Sequence, residues 1–346
     1  MLSRTAACIY WMNRYLERAE SIARLVESTL HLSLDLPAEA EDAWEALVAS
    51  SGDLEPFTAR FGAPTRDAVL RFLSFDAENP NSVLSSVRNA RENARQVREH
   101  LPFEAWETVN TLYLAYKGAA ASEAALTFID DALREVRAAG RTVEGHLQAA
   151  FAREEGWHFG ELGRACERAD QTSRLIDAHH ALLPPHVAVG GAALRWEGVL
   201  KSASATQVYR RRWGATDGLK VAELLLLDPA FPRSLAFCLA EAEHALRAIT
   251  GTPEGQFRNR AEKALGKLAA ELRYTDMDDI LRRGLHLWLD AFQARLKEVG
   301  GLVDQAYFDP ASAGNHYEGG SSSAASSSQE HSARSRAEEE EEQQQQ

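Results

Sequence analysis

The sequence predicts an all-α protein: two repeated helical-bundle halves packed into one body, followed by a disordered C-terminal tail. Three observations carry that prediction. Ala, Leu, Glu and Arg dominate, while the β-branched alternation of strands is nearly absent. Apolar residues recur at alternating steps of three and four, the spacing of one helix face. A charged motif occurs twice, with the residues around it in the same order. At 346 residues, 45% hydrophobic and 26% charged, the chain can bury a core without disulfides or metals.

The elements follow in order. Ile9, Met12, Leu16, Ala19, Ala23, Val26 and Leu30 form a seam of the bundle type, which Leu36-Pro37 ends. Further helices are expected over 38–50, 64–74, 80–100, 103–117, 119–139 and 142–182. Pro184-Pro185 and Gly190-Gly191 bracket a linker. Helices resume over 192–213, 218–227, 232–250, 256–274 and 276–307. Asn79-Pro80 and Phe231-Pro232 set proline where a helix can start. Past Asp309-Pro310 the chain is Ser, Ala, Gly, Glu and Gln, too polar to offset its ordering entropy. The expected units are residues 1–150, 151–310 and a disordered tail over 311–346.

The duplication is specific. Arg14, Glu17, Arg18, Ala19, Glu20 and Arg24 recur 150 residues later as Arg164, Glu167, Arg168, Ala169, Asp170 and Arg174. At an offset of 152, Trp44-Glu45 matches Trp196-Glu197, and Phe57, Phe61 and Gly62 match Tyr209, Trp213 and Gly214. Asp76, Pro80, Ser82 and Arg95 match Asp228, Pro232, Ser234 and Arg247. On a helical wheel Glu17, Glu20 and Arg24 lie opposite the apolar seam, and Arg18 lies at its edge. An arginine there needs a carboxylate, a phosphate or carbonyls. Three readings stay open. The pairs are solvated, or they form an interhelix latch from Glu17 to Arg168 and Glu167 to Arg18. The third is a shared polar cleft whose arginines fork an anion.

Other functions find less support. The formal net charge of −13 disfavours nucleic acid, because phosphate neutralisation needs a basic surface. Cys8, Cys166 and Cys238 are odd in number and far apart, which fits neither disulfides nor a zinc knuckle. No apolar run approaches a membrane span, and charges interrupt the first residues, so cytoplasm is the expected location. There is no P-loop, G-x-G-x-x-G or G-x-S-x-G, and no cofactor is assigned. Glu155/His158 and Glu241/His244 have the spacing of di-iron bundle ligands, with Glu17 and Glu167 as the extra carboxylates. They fall at non-equivalent places in the repeat, so no metal is assigned. Asp76 with Ser82, and Asp228 with Ser234, read as helix-capping corners. Arg233 sits in a first turn, where a cation opposes the helix dipole, which points to a carboxylate partner such as Glu17 or Glu167. Arg88, Arg91, Arg95 and Arg98 form one basic stripe.

The stretches MLSRTAACIYWMNRYLERAESIARL, FLSFDAENPNSVLSSVRNARENARQVRE, WETVNTLYL, GWHFGELGRACERADQTSRLID and LLLLDPAFPRSLAFCL resemble the alpha-E family, bacterial all-helical proteins named for a Glu-Arg motif. They span nearly all of residues 1–307; Cys166 departs from an expected aliphatic residue. The resemblance implies a helical fold and partners of two kinds, a circularly permuted ATP-grasp protein and a transglutaminase-like protein. It therefore suggests an accessory or scaffold role in a system that forms and cleaves amide bonds. Arg14, Arg18, Arg24, Arg164, Arg168, Arg174 and Arg233, with Glu17 and Glu167, are the candidate ligand-binding set. The alternatives are an enzyme of amide chemistry using Glu17 or Glu167 as acid or base, and a helical carboxylate metalloprotein. Sequence does not decide whether the chain is catalytic.

Overall fold

The computed structural model describes residues 1–35, 40–183 and 191–309. The expected linker between Leu183 and Gly191 and the expected disordered tail lie outside the described residues. Fifteen α-helices and no strand occur among those described. They are α1 (Ser3–Asp35), α2 (Ala40–Ser51), α3 (Leu54–Phe61), α4 (Arg66–Ser74), α5 (Val83–Gln96), α6 (Phe103–Ala120), α7 (Ile129–Ala150), α8 (Glu155–Asp177), α9 (Ala192–Ser202), α10 (Thr206–Trp213), α11 (Gly218–Leu227), α12 (Leu235–Thr250), α13 (Arg260–Arg273), α14 (Met277–Arg283) and α15 (Leu285–Val303).

The long helix α1 lies at the centre. Its seam residues Ile9, Met12, Ala19, Ala23 and Val26 are fully buried. It packs against α5, α7 and α8, with α2 and α9 completing its surroundings. α8 in turn packs against α12, α15 and α2. Most of its surface is covered, so the polar residues Glu17, Glu20 and Arg24 must find partners inside the protein.

The crossing of α1 and α8 depends on glycine. Gly156, Gly160 and Gly163 line one side of α8. A methyl group at Gly163 would collide with the backbone carbonyl of Tyr10, and one at Gly160 would lie 2.9 Å from the Asn13 carboxamide nitrogen. Small residues at these positions let the two backbones approach closely enough for short ion pairs to form beside them.

Helix starts keep the 152-residue spacing seen in the sequence. α2 begins at Ala40 and α9 at Ala192; α3 at Leu54 and α10 at Thr206; α4 at Arg66 and α11 at Gly218; α5 at Val83 and α12 at Leu235. The two corners are built alike. Ser82 Oγ accepts from the Ser85 amide at 3.1 Å and donates to the Asp76 carbonyl, while Ser234 Oγ accepts from the Phe237 amide at 3.0 Å and donates to the Asp228 carbonyl. Asp76 and Asp228 also accept from the amides of Glu78 and Ala230, and pair with Arg60 and Arg212.

Several boundaries differ from the sequence expectation. α3 lies in a stretch read as loop, because Asp53 and Gly62 punctuate only eight residues. The break expected near Gly140 falls instead at 151–154. Gly140 stays inside α7, where a side chain would press to 3.0 Å from the Glu20 carboxylate. The expected helix 192–213 divides at Ser204, whose φ is +54°, and 276–307 divides at Gly284, whose φ is +86°.

Replacing Gly163 with Ala is expected to destabilise the protein by about 1–3 kcal/mol. Gly118→Ala, in the exposed part of α6 with open space around it, should be neutral or stabilising by up to about 1 kcal/mol. Urea unfolding of both variants checks the contrast; equal behaviour would remove the close-crossing argument.

Candidate functional site

The two copies of the Glu-Arg motif meet. Glu167, completely buried on α8, accepts from two arginines of α1. Arg18 forks it, Nε to Oε1 at 2.6 Å and Nη2 to Oε2 at 3.0 Å. Arg14 Nε reaches Oε2 at 2.9 Å, and Gln171 donates to Oε1 at 3.1 Å. Glu17 on α1, 3% exposed, answers in the other direction. Arg168 Nη2 donates to its Oε2 at 2.7 Å and Arg233 Nη1 to its Oε1 at 2.7 Å. Ser21 adds a bond at 3.3 Å. The expected latch, Glu17 to Arg168 and Glu167 to Arg18, is therefore present, and Arg233, which lies just before α12 rather than in its first turn, takes Glu17 of α1 as its carboxylate partner.

The two ends of the latch are not identical. Arg14 serves Glu167, whereas its sequence equivalent Arg164 turns away to Glu144 and Glu161. Arg18 also donates through Nη1 to Asn81 Oδ1 at 3.1 Å. Asn81 occupies the place in the first corner that Arg233 holds in the second. Arg24 is buried, pairs with Glu20, and donates to the Ser202 carbonyl of α9 at 3.0 Å. Arg174 pairs with Asp170 at 2.9 Å. The polar stripe of Glu17, Glu20 and Arg24 that a wheel places toward solvent is thus enclosed, because helices surround α1.

Charge shapes these groups. Burial alone would push the Glu17 carboxyl up, but the Arg168 and Arg233 guanidiniums overcome it and hold the group well below the usual carboxylate range. Glu167 is treated likewise by Arg18 and Arg14, and is brought down to about 2. Arg24 is lowered to about 9 by burial, with the neighbouring Arg233 adding to it. Burial pushes the Cys166 thiol up to about 11 and Cys238 up to about 12, so neither is a ready thiolate. Around the latch, five guanidiniums (Arg14, Arg18, Arg24, Arg168 and Arg233) face three carboxylates (Glu17, Glu20 and Glu167).

Beside the Glu167 end lies a cavity of about 660 Å³. Arg14, Arg18 and Arg174 line it, with Asn81, Asp170 and Gln171. Its far wall is a stripe of α15, Asp290, Gln293 and Lys297, one helical turn apart. Gln171 is 7% exposed and its Oε1 is buried without a hydrogen-bond partner. Gly52, with φ +79°, lies where any side chain would strike the Arg174 guanidinium. Arg168, Arg233 and Arg24 do not line this cavity. Sequence reasoning missed Asn81, Gln171 and the α15 stripe. Asn81 could have been found through its 152-residue equivalence to Arg233; the α15 residues carry no local signal.

The corner residues Asp76, Ser82, Asp228 and Ser234 act as caps and turn formers. The residues considered for a di-iron site are not gathered around one point. Glu155 pairs with the Met1 amine, Glu17 and Glu167 are held by arginines, and the His158 and His244 rings stand 6.4 Å apart.

Glu167→Gln leaves Arg14 and Arg18 buried without their counter-charge, and is expected to cost about 3–5 kcal/mol at neutral pH. Because the folded carboxyls titrate below their unfolded range of about 4.3, Glu17 and Glu167 stabilise the fold above that range. That contribution fades as pH falls toward their folded values. Urea unfolding from pH 6 to 2 should show a shallower acid-side loss in Glu167→Gln than in the wild type.

An uncharacterised protein of Mycobacterium bovis is 24% identical over 326 residues, a match covering 87% of this chain and 36% of that relative. Two uncharacterised proteins from strains of Mycobacterium tuberculosis match with the same identity and coverage. The chain thus spans about a third of the length of these curated relatives. Among solved structures there is no significant match. The Alpha-E family, described as a predicted alpha-helical domain with a conserved ER motif, matches residues 1–308, and the chain belongs to that family.

Proposed function

We propose that the protein is a binding or scaffold component of a system that forms and cleaves amide bonds, and that the cavity beside the latch holds a peptide-like ligand with a free carboxylate. One observation carries the reading: the guanidinium-bearing side chains of Arg14, Arg18 and Arg174 line a single cavity of about 660 Å³, with Gln171 in its wall. Arginine forks a carboxylate with two parallel hydrogen bonds. Asp170, Asp290 and Asp304 on the same walls suit an ammonium group.

Binding fits the site better than acid–base chemistry. A general base needs a pKa near working pH and contact with the reacting proton. Glu17 and Glu167 are buried, each clamped by two arginines, and held far below neutrality. The latch therefore makes a rigid wall for the cavity. Reading residues 1–150 and 151–310 as duplicated halves is supported by the equal spacing of helix starts and the paired corners. An ATP-grasp protein and a transglutaminase-like protein are the proposed partners, on the family resemblance, and cytoplasm the proposed location. No helix among the described residues is long and apolar enough to cross a membrane. The greater length of the mycobacterial relatives is consistent with a module that works beside other units.

The test is calorimetric titration with di- and tripeptides carrying a free C-terminal carboxylate, against the same peptides as C-terminal amides. The acids should bind about tenfold more tightly, the value of a charge-assisted bond. Arg174→Gln, which lies outside the latch, should weaken the acids by about the same factor while leaving the unfolding curve unchanged. Equal binding of acid and amide forms, or no binding of either, would overturn the peptide-carboxylate reading.

A further inference from the structure

We infer that Asp177, His180 and His286 form a binding site for one divalent transition-metal ion of the zinc class. The site lies at the C-terminal end of α8 and is separate from the residues that line the latch cavity, apart from Asp290 nearby.

Three parts of the chain converge there. Asp177 is the last residue of α8, His180 opens the short 3-10 turn His180–Leu182, and His286 lies in the first turn of α15. One ligand atom from each falls within 4.8 Å of the other two. His286 Nδ1 stands 2.7 Å from Asp177 Oδ1. The His180 and His286 rings stack at 4.7 Å with planes 16° apart, so one ring must rotate for both to point a nitrogen at a shared ion. Two imidazoles and a carboxylate are a donor set suited to zinc, and to nickel or copper by the usual affinity order.

An outer contact orients His180 as a metal ligand requires. His180 Nδ1 lies 2.6 Å from the Asp177 carbonyl. A carbonyl can only accept, so Nδ1 carries the proton and Nε2 keeps its lone pair for a metal. Asp290 approaches His286 Nε2 at 3.5 Å, a second carboxylate beside the same ring. A zinc ion bonded at about 2.0–2.2 Å needs its ligand atoms somewhat closer than they now stand. His180 and His286 are both about half exposed and can turn by that amount. Three protein ligands leave a fourth position open. A metal here would fasten the start of α15, which carries the far wall of the cavity, to the end of the motif helix.

The experiment is calorimetric titration of chelator-treated, metal-free protein with Zn²⁺ alone, paired with Co²⁺ absorption spectroscopy. Wild type should take up one Zn²⁺ per chain, and its Co²⁺ form should show d–d bands that Zn²⁺ bleaches. His180→Ala and His286→Ala should each weaken Zn²⁺ binding about tenfold or more, a loss of roughly 1.4 kcal/mol or greater. Asp177→Asn should act in the same direction. All three side chains sit at the surface end of the bundle, and circular dichroism checks that the variants stay helical. Absence of saturable Zn²⁺ binding and of d–d bands in the wild type would overturn the site. So would binding that persists undiminished in the His180→Ala/His286→Ala double variant.

Discussion

Two carboxylates buried at the crossing of α1 and α8 set the terms for the whole molecule. A glutamate removed from water is costly unless charge and hydrogen bonds replace its hydration. Here each glutamate is satisfied chiefly by arginines from outside its own helix, so neither motif copy is complete alone. Arg14 and Arg18 need Glu167, and Arg168 and Arg233 need Glu17. The pairing fixes the register of α1 against α8, and the glycines of α8 make the approach close enough for bonds of 2.6–3.0 Å. Helices α5 and α12 then dock with their corners at Asn81 and Arg233 touching the same network.

This arrangement separates the motif's two aspects. Its glutamates are structural anchors, spent on arginines and out of reach of solvent. Some of its arginines have a second face. Arg14 and Arg18 each present an edge to the cavity bounded by α15, while Arg168, Arg233 and Arg24 do not. The two motif helices therefore present an asymmetric surface, because residues of α15 and Asp304 wall the cavity at the Glu167 end.

The crowding of charge around the latch has a physical consequence. Five guanidiniums are crowded around three carboxylates in a region of low dielectric, where charges act over longer distances than at the surface. Arg24, lowered to about 9 by burial and by the neighbouring Arg233, registers that crowding.

Much of this was legible in the sequence. The three-and-four spacing from Ile9 to Leu30 determined α1 and its buried face, since helix geometry alone places those residues on one side. The repeated Arg-x-x-Glu-Arg motif determined which charges recur, and the proline-flanked corners determined the caps at Ser82 and Ser234, because capping is local chemistry. Only the tertiary structure decided that the polar stripe of α1 is enclosed, that Arg164 turns to Glu144 while Arg14 holds Glu167, and that Asp290, Gln293 and Lys297 face the motif. Those facts depend on which helix lies beside which, and a chain folded in three dimensions brings together residues whose separation along the sequence carries no periodic signal.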